Sequence, residues 1–384
     1  MNVILYNQPM QQRLCLFFLF ILTACQAAPV APTATLSAPH VVIETLTPSP
    51  IPTMTFTPSP TPTIDEAIFP YTIEGLRQRE YQSGEIHIRS TLDENDLYTS
   101  YLIDYPSDGL TITGVMQIPV GEGPFPVILM NHGFFARSVY NTGDGTDRSS
   151  VFLAERGYIT LASDYRSWGA SDEGESFFYS GLVIDVINLL NAIPTIPQAD
   201  PKRVGIWGHS MGGGVTMKVL TIVGAGSSRP VSVKAAVLYS TVSADFSDII
   251  GRWGMGCFGD IAEGELIIGC NSSDVIPMDL PHNLQEAYRF TASDADSLKK
   301  VSPLYHLENI TVPIQIHYGT EDGQTLSGTP PEWSVTLTQE LRDAGKYAEL
   351  YQYEGERHSF ISQPWFDFME RVVRFFDKHV KNTP

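Results

Sequence analysis

The sequence predicts an α/β fold built on a doubly wound, mostly parallel sheet, and three observations carry that expectation. From residue 124 onward, short apolar runs alternate with helix-compatible segments, the rhythm of strands joined by crossover helices. Ahead of them, three segments of period two read as an antiparallel lead-in. In the middle, a buried strand at residues 204–207 passes through Gly208-His209-Ser210-Met211-Gly212 into a helix-compatible run at 215–223 without a break.

The lead-in strands are residues 85–89, 100–105 and 110–116. Residues 124–130 are almost continuously apolar, as strands are when both faces are buried. A strand at 158–163, a helix at 182–193, the 204–207 strand, and strands at 235–238 and 313–318 follow. A helix at 333–344, a strand at 347–353 and a closing helix at 365–380 complete the pattern, the last with an apolar stripe through Phe366, Val373 and Phe376.

Between residues 240 and 301 the alternation stops. The segment carries several glycines, apolar pieces at 249–250 and 266–268, and two cysteines, so it reads as a folded insert, expected to cap the site described below. Cys257 and Cys270 are the only cysteines outside the N-terminal segment. In an exported chain they would form a disulfide stiffening the insert, worth about 3 kcal/mol in the chain-entropy model. Two buried free thiols are the alternative.

The N-terminus has its own character. Residues 14–22 are an apolar run preceded by Arg13, too short to span a bilayer comfortably, and they read as the core of a signal peptide. Leu22-Thr23-Ala24-Cys25 resembles the lipobox of bacterial lipoproteins, which implies cleavage after residue 24 and acylation of Cys25. Residues 1–10 carry no charge, so translation starting at Met10 would give a more ordinary leader; simple signal cleavage and an uncleaved anchor are the alternatives. Residues 25–63 are rich in Pro, Thr, Ser and Ala, cannot bury a core, and read as a semi-rigid stalk. The expected layout is a signal peptide at 1–24, the stalk at 25–63 and a folded domain at 64–384, a membrane-anchored exported lipoprotein.

The 384 residues are 43% apolar and 11% aromatic, enough for a large core. A formal charge of −19 repels polyanions, so nucleic acid is not an expected partner. No H-E-x-x-H, cysteine/histidine cluster, G-x-G-x-x-G at a strand–helix turn or Walker sequence is present, so neither metal nor cofactor is expected.

Gly208-His209-Ser210-Met211-Gly212 between strand and helix has the form of a nucleophile elbow. The turn is so tight that side chains two positions either side of the serine would collide with their neighbours, and glycines remove them. It raises the Ser210 hydroxyl above the sheet edge and aims the Met211 N–H at a developing oxyanion. A serine hydroxyl needs a base, and the base needs a holder. His358 follows the last predicted strand, and Asp322 lies just beyond the strand ending at Tyr318, giving the chain order Ser, Asp, His of α/β-hydrolases. Glu321 is the competing acid. The second oxyanion donor is expected from Asn131-His132-Gly133-Phe134-Phe135, through the Phe134 N–H. His132 is expected to shape that loop, His209 to pack into the elbow, and His317 to be a satisfied core residue. Arg166 is expected in a structural ion pair, with recognition of a substrate carboxylate or carbonyl as the alternative.

Several stretches match a known pattern: Tyr105-Pro106-Ser107-Asp108-Gly109-Leu110, Gly123-Pro124-Phe125-Pro126-Val127, His132-Gly133, Asp200-Pro201-Lys202-Arg203-Val204-Gly205 before the elbow, and Ser302-Pro303-Leu304-Tyr305. With the Gly319 to Asp322 spacing and residues 355–360, they make positions 101–379 resemble the prolyl oligopeptidase-type (S9) catalytic domain and the related dienelactone hydrolases. The resemblance implies a serine hydrolase acting through Ser210, Asp322 and His358, with the Phe134 and Met211 amides as its oxyanion hole. Two departures shift the expectation from peptides toward esters: no repeated blades precede the domain, and the 240–301 insert is long. The expected substrate is a small ester, with a short peptide as the alternative and an inactive tethered binding protein as the third reading.

Overall fold

The computed structural model describes residues 63–82, 84–227, 230–254, 280 and 282–382. These belong to one compact unit, Pro60–Pro384. The signal peptide, the stalk up to residue 62, Cys25, Cys257 and Cys270 lie outside the described residues.

Two short helices open the unit, α1 (Ile64–Ile68) and α2 (Ile73–Gln78). Thr63 starts α1 with a capping box: its hydroxyl accepts from the Glu66 N–H, and the Glu66 carboxylate accepts from the Thr63 N–H at 2.8 Å. Strands β1 (His87–Glu94), β2 (Tyr98–Ser107) and β3 (Leu110–Pro119) then pair antiparallel, as the lead-in predicts. The alternating part runs β4 (Phe125–Asn131), α3 (Asp147–Ala154), β5 (Ile159–Ser163), α4 (Ser180–Ala192), β6 (Ala199–His209), α5 (Met211–Val223) and β7 (Val233–Tyr239). Within the 240–301 insert lie α6 (Phe246–Trp253), α7 (His282–Ser293) and α8 (Ala295–Val301). Strand β8 (Ile314–Gly319), α9 (Pro331–Asp343), β9 (Ala348–Tyr353) and α10 (Ser362–Phe376) close the fold.

The strands form one sheet in the order β1-β2-β3-β5-β4-β6-β7-β8-β9. β3 meets β5 antiparallel, and all pairs from β5 to β9 are parallel. Alternation divides the core. Val127 and Leu129 of β4 pack with Leu182, Val186, Val215 and Leu220 of α4 and α5, while Ile128 and Met130 face Phe152, Phe368 and Val372 of α3 and α10. Burial on both faces is why these strands read as apolar runs. From β4 the chain steps through α3 to β5 on one side, then crosses through α4 to β6 on the other. The loops after β4 and β6 therefore diverge at the carboxyl edge of the sheet, the crevice where open α/β sheets bind ligands.

Two expectations need correcting. The strand at 85–89 begins two residues later and runs to Glu94, and all eight of its residues are exposed, so its apolar alternation marks no core face. On α10 the buried face is Trp365, Phe368, Met369, Val372, Val373, Phe375 and Phe376, whereas Phe366 is 47% exposed. A seven-residue step drifts about 20° around a helix, and Trp365 is the ring that packs edge-on against Phe152, at 5.3 Å.

Candidate active site

Strand β6 ends at His209 and α5 begins at Met211, so Ser210 alone makes the turn. Its backbone has φ 55° and ψ −121°, a conformation costing a non-glycine residue of order 1–3 kcal/mol. The surroundings hold it there. The Ser210 N–H donates to the Tyr239 carbonyl at 3.0 Å, and its carbonyl accepts from the N–H groups of Gly213 at 2.9 Å and Val242 at 3.2 Å. A Cβ on Gly208 would lie 2.3 Å from the Gly212 carbonyl oxygen, and one on Gly212 would lie 2.0 Å from that of Asn131. Both approaches are to backbone, which cannot swing aside, so glycine is required at the two positions named by the steric argument.

Asp322 lies in the loop after β8 and His358 in the loop after β9. The His358 Nδ1 is 3.0 Å from Asp322 Oδ2 and 3.1 Å from Oδ1. An Nδ1–H donated to the carboxylate leaves Nε2 free to act as a base. The carboxylate is almost sealed, its side chain 1% exposed. Burial pushes its pKa up, and bonds from His358, Thr329 and the Gly323 N–H outweigh this, so the carboxyl sits below its ordinary value. Thr329 was not legible in the sequence: its N–H donates to Oδ1 at 2.9 Å, and its hydroxyl lies 2.8 Å from Oδ2. The competing acid, Glu321, points elsewhere, 3.6 Å from the Arg357 guanidinium at the surface.

The loop carrying His358 is fastened from beneath. The His209 Nε2 donates to the His358 carbonyl at 3.1 Å while its ring stacks on Tyr239 at 4.5 Å. Burial, and then the neighbouring imidazole of His358, push the His209 pKa down to about 3, so it is neutral. The Phe360 N–H donates to the Tyr239 hydroxyl. A Cβ on Gly319 would lie 2.1 Å from the Glu356 carbonyl oxygen, so this glycine lets the histidine loop close over β8.

These groups meet at one cavity of about 510 Å³. Ser210 and His358 line it together with Phe134, Met211, Phe135, Tyr179, Val242, Trp253 and Leu326. Met211 is the first residue of α5, so its N–H has no acceptor within the helix. The Phe134 loop runs alongside: a Cβ on Gly133 would be 3.1 Å from the Ser210 Cβ. Phe134 and Met211, the residues expected to supply the oxyanion donors, thus line the same cavity as the serine. Trp253 comes from the insert, and its indole N–H donates to the Leu326 carbonyl at 2.6 Å. Arg252 donates to the carbonyls of Gly323, Thr325 and Gly328 at 3.0, 2.7 and 3.0 Å, tying α6 to the loop that follows Asp322.

The remaining candidates have structural surroundings. His132 is buried, its ring nitrogens 2.7 and 3.1 Å from the carbonyls of Gly133 and Asp164, and it stacks on Tyr140. His317 bonds Tyr353 and Gln315 inside the core. Arg166 holds Asp185 through Nε at 3.0 Å and Nη2 at 2.8 Å, both side chains buried.

A strained serine at a strand–helix turn, backed by a carboxylate–imidazole pair from two later loops of a parallel sheet, defines the alpha/beta hydrolases. The model of that family matches residues 127–373, and the chain belongs to it. Esterase FrsA of Yersinia enterocolitica is 31% identical over 153 residues, covering 38% of this chain and 32% of that protein. The chain thus spans between a quarter and a third of the length of the curated relatives it matches. Acetyl xylan esterase 1 from Thermoanaerobacterium shares the fold at 15% identity and a TM-score of 0.54, over 83% of this chain and 94% of its own. So does a puromycin-hydrolyzing peptidase of Mycobacterium tuberculosis, at 19% identity and 0.54, over 76% and 41%.

Proposed function

We propose that the protein is a serine hydrolase acting on neutral carboxylic esters. The observation that carries this reading is the Asp322–His358 pair opening onto the same cavity as Ser210 at its strained turn. His358 Nε2 takes the Ser210 proton as Oγ attacks the acyl carbon. The N–H groups of Met211 and Phe134 receive the oxyanion, each worth about 3 kcal/mol. The ester C–O bond breaks, the alcohol leaves with the proton from His358, and water repeats the sequence on the acyl-enzyme.

The esterase reading is preferred to the peptidase one on the cavity's chemistry. Among the described residues no Asp, Glu, Lys or Arg lines it. A short peptide would bring a charged terminus with nothing to pair it, and an unpaired buried charge is costly. The esterase relatives support the same choice. The insert, through Val242 and Trp253, acts as a cap over the serine. The N-terminal pattern supports export, lipidation at Cys25 and a stalk that holds the enzyme off the membrane; loss of fatty-acid labelling in Cys25→Ala tests this.

The test of activity compares full-length protein with Ser210→Ala on short-chain nitrophenyl esters and on dipeptide anilides. Ester turnover lost in the variant is expected. Anilide turnover lost in the variant transfers the assignment to a peptidase, and equal rates in both proteins overturn catalysis altogether.

A further inference from the structure

Among the described residues lining the cavity, one buried polar side chain is neither used by the mechanism nor given a hydrogen-bond partner by the protein. Tyr179 is 3% exposed and lines the cavity, its ring edge-on to Phe246 at 5.0 Å and close against Gly214 of α5. Its hydroxyl has no hydrogen-bond partner among the described residues. The other lining side chains away from Ser210 and the two histidines are apolar, apart from the Trp253 indole, whose N–H is taken by the Leu326 carbonyl, and the exposed Ser327 and Ser359. A ligand that fills the cavity and strips water from the Tyr179 hydroxyl without replacing its hydrogen bond costs about 1–3 kcal/mol, so its place in the wall points to a ligand group that satisfies it.

The backbone beneath Tyr179 is held at a cost. Phe178 and Tyr179 have φ of 48° and 65°, consecutive left-handed residues of a kind that bulky side chains avoid. The Phe178 carbonyl accepts a hydrogen bond of 2.7 Å from Lys218 Nζ, and Lys218 is fully buried in α5, two turns beyond Ser210. The Phe178 ring is clamped as well, stacked on Tyr288 at 4.2 Å and 7°. Lys218 has no carboxylate partner among the described residues, so an ion pair does not account for its burial. Among the described residues its ammonium makes one hydrogen bond, to the turn that carries Tyr179, and lies over the Phe246 ring at 5.5 Å.

We propose that Tyr179 is the specificity-determining residue of this esterase, donating its phenol O–H to a neutral oxygen on the substrate group that fills the cavity, and that Lys218 is the positioning residue holding the 178–179 turn. The proposal rests on the esterase reading and names its substrate class: uncharged esters carrying an ether, hydroxyl or carbonyl oxygen beyond the scissile group. Burial raises the pKa of Tyr179, so it remains a donor throughout the working range.

The test uses two isosteric pairs on the full-length protein: nitrophenyl butanoate against nitrophenyl methoxyacetate, and butyl acetate against 2-methoxyethyl acetate. Each pair replaces one CH₂ by an ether oxygen, on the acyl and the alcohol side respectively. In at least one pair, Tyr179→Phe is expected to lower the ether-to-alkyl ratio of kcat/KM by about three- to tenfold, the worth of one hydrogen bond. Lys218→Met is expected to lower the same ratio, mainly through KM, and the double variant to add nothing further. A ratio of two rates does not change with the fraction of protein folded. Unchanged ratios in both pairs for Tyr179→Phe overturn the assignment. Lys218→Met slowing ether and alkyl substrates equally overturns its positioning role. Wild-type protein inactive on all four esters overturns the esterase reading itself, an outcome distinct from either.

Discussion

Lys218 also makes a prediction about stability, and its size follows from the structure. Burial alone pushes its pKa from the ordinary 10.5 down to about 7. At 1.36 kcal/mol per pH unit, holding the ammonium in the core costs roughly 5 kcal/mol at pH 7 and below. Between pH 7 and 10.5 the unfolded chain binds more protons than the folded one, so stability rises with pH across that window. From pH 7 to pH 9 the lysine contributes a rise of about 2 kcal/mol. Lys218→Met removes that rise, and it leaves the Phe178 carbonyl unpaired at a cost of about 1–3 kcal/mol. The variant is therefore expected to match or exceed wild type in stability at pH 7 and to lose this advantage by pH 9. Urea denaturation of both proteins at the two pH values, followed by tryptophan fluorescence, measures the difference. Parallel pH dependence in the two proteins refutes the argument, because it would mean that the lysine titrates alike in the folded and unfolded chains.

Four further outcomes follow from the site. Gly208→Ala places a Cβ 2.3 Å from a backbone oxygen, so it should lose several kcal/mol and accumulate as insoluble protein; a soluble variant of wild-type melting temperature contradicts the elbow geometry. Thr329→Val removes a bond to a buried carboxylate, worth about 1.5–3 kcal/mol, and should cut kcat ten- to a hundredfold with KM little changed in steady-state assays. Asp322 has a depressed pKa, so its contribution to stability is present above pH 3.8 and lost as pH falls through the lower folded value. Asp322→Asn should accordingly flatten the acid limb of the unfolding curve, read by circular dichroism, while abolishing most turnover; Glu321→Gln should change neither.

The elbow was legible because its constraint is local: Gly208 and Gly212 answer to atoms within a few residues of Ser210 or in the adjoining strand. Asp322 and His358 could be read from chain order, since each follows a strand and every parallel strand delivers its loop to the same edge. Thr329 escaped because it meets the carboxylate across a seven-residue loop that has no motif. Tyr179 and Lys218 escaped for a different reason. A lysine in an apolar helix and a tyrosine before one carry no periodic signal, and only the fold places α4 beside α5. The short helices α1, α2 and α3, of 5, 6 and 8 residues, span too few turns to show a face. The stripe assigned to α10 failed at Phe366 because its neighbour Trp365 is as apolar and lies on the buried side.

The three bonds from Arg252 to the loop beyond Asp322 also bear on how the fold can be recombined. The insert is not a single removable part: its first helix belongs mechanically to the loop that carries Asp322. Excising residues 240–301 as a block would cut those ties and disturb the site it was meant only to uncover. A graft confined to the stretch between Gly254 and Leu280 spares them, leaving Arg252 and Trp253 in place against the loop beyond Asp322.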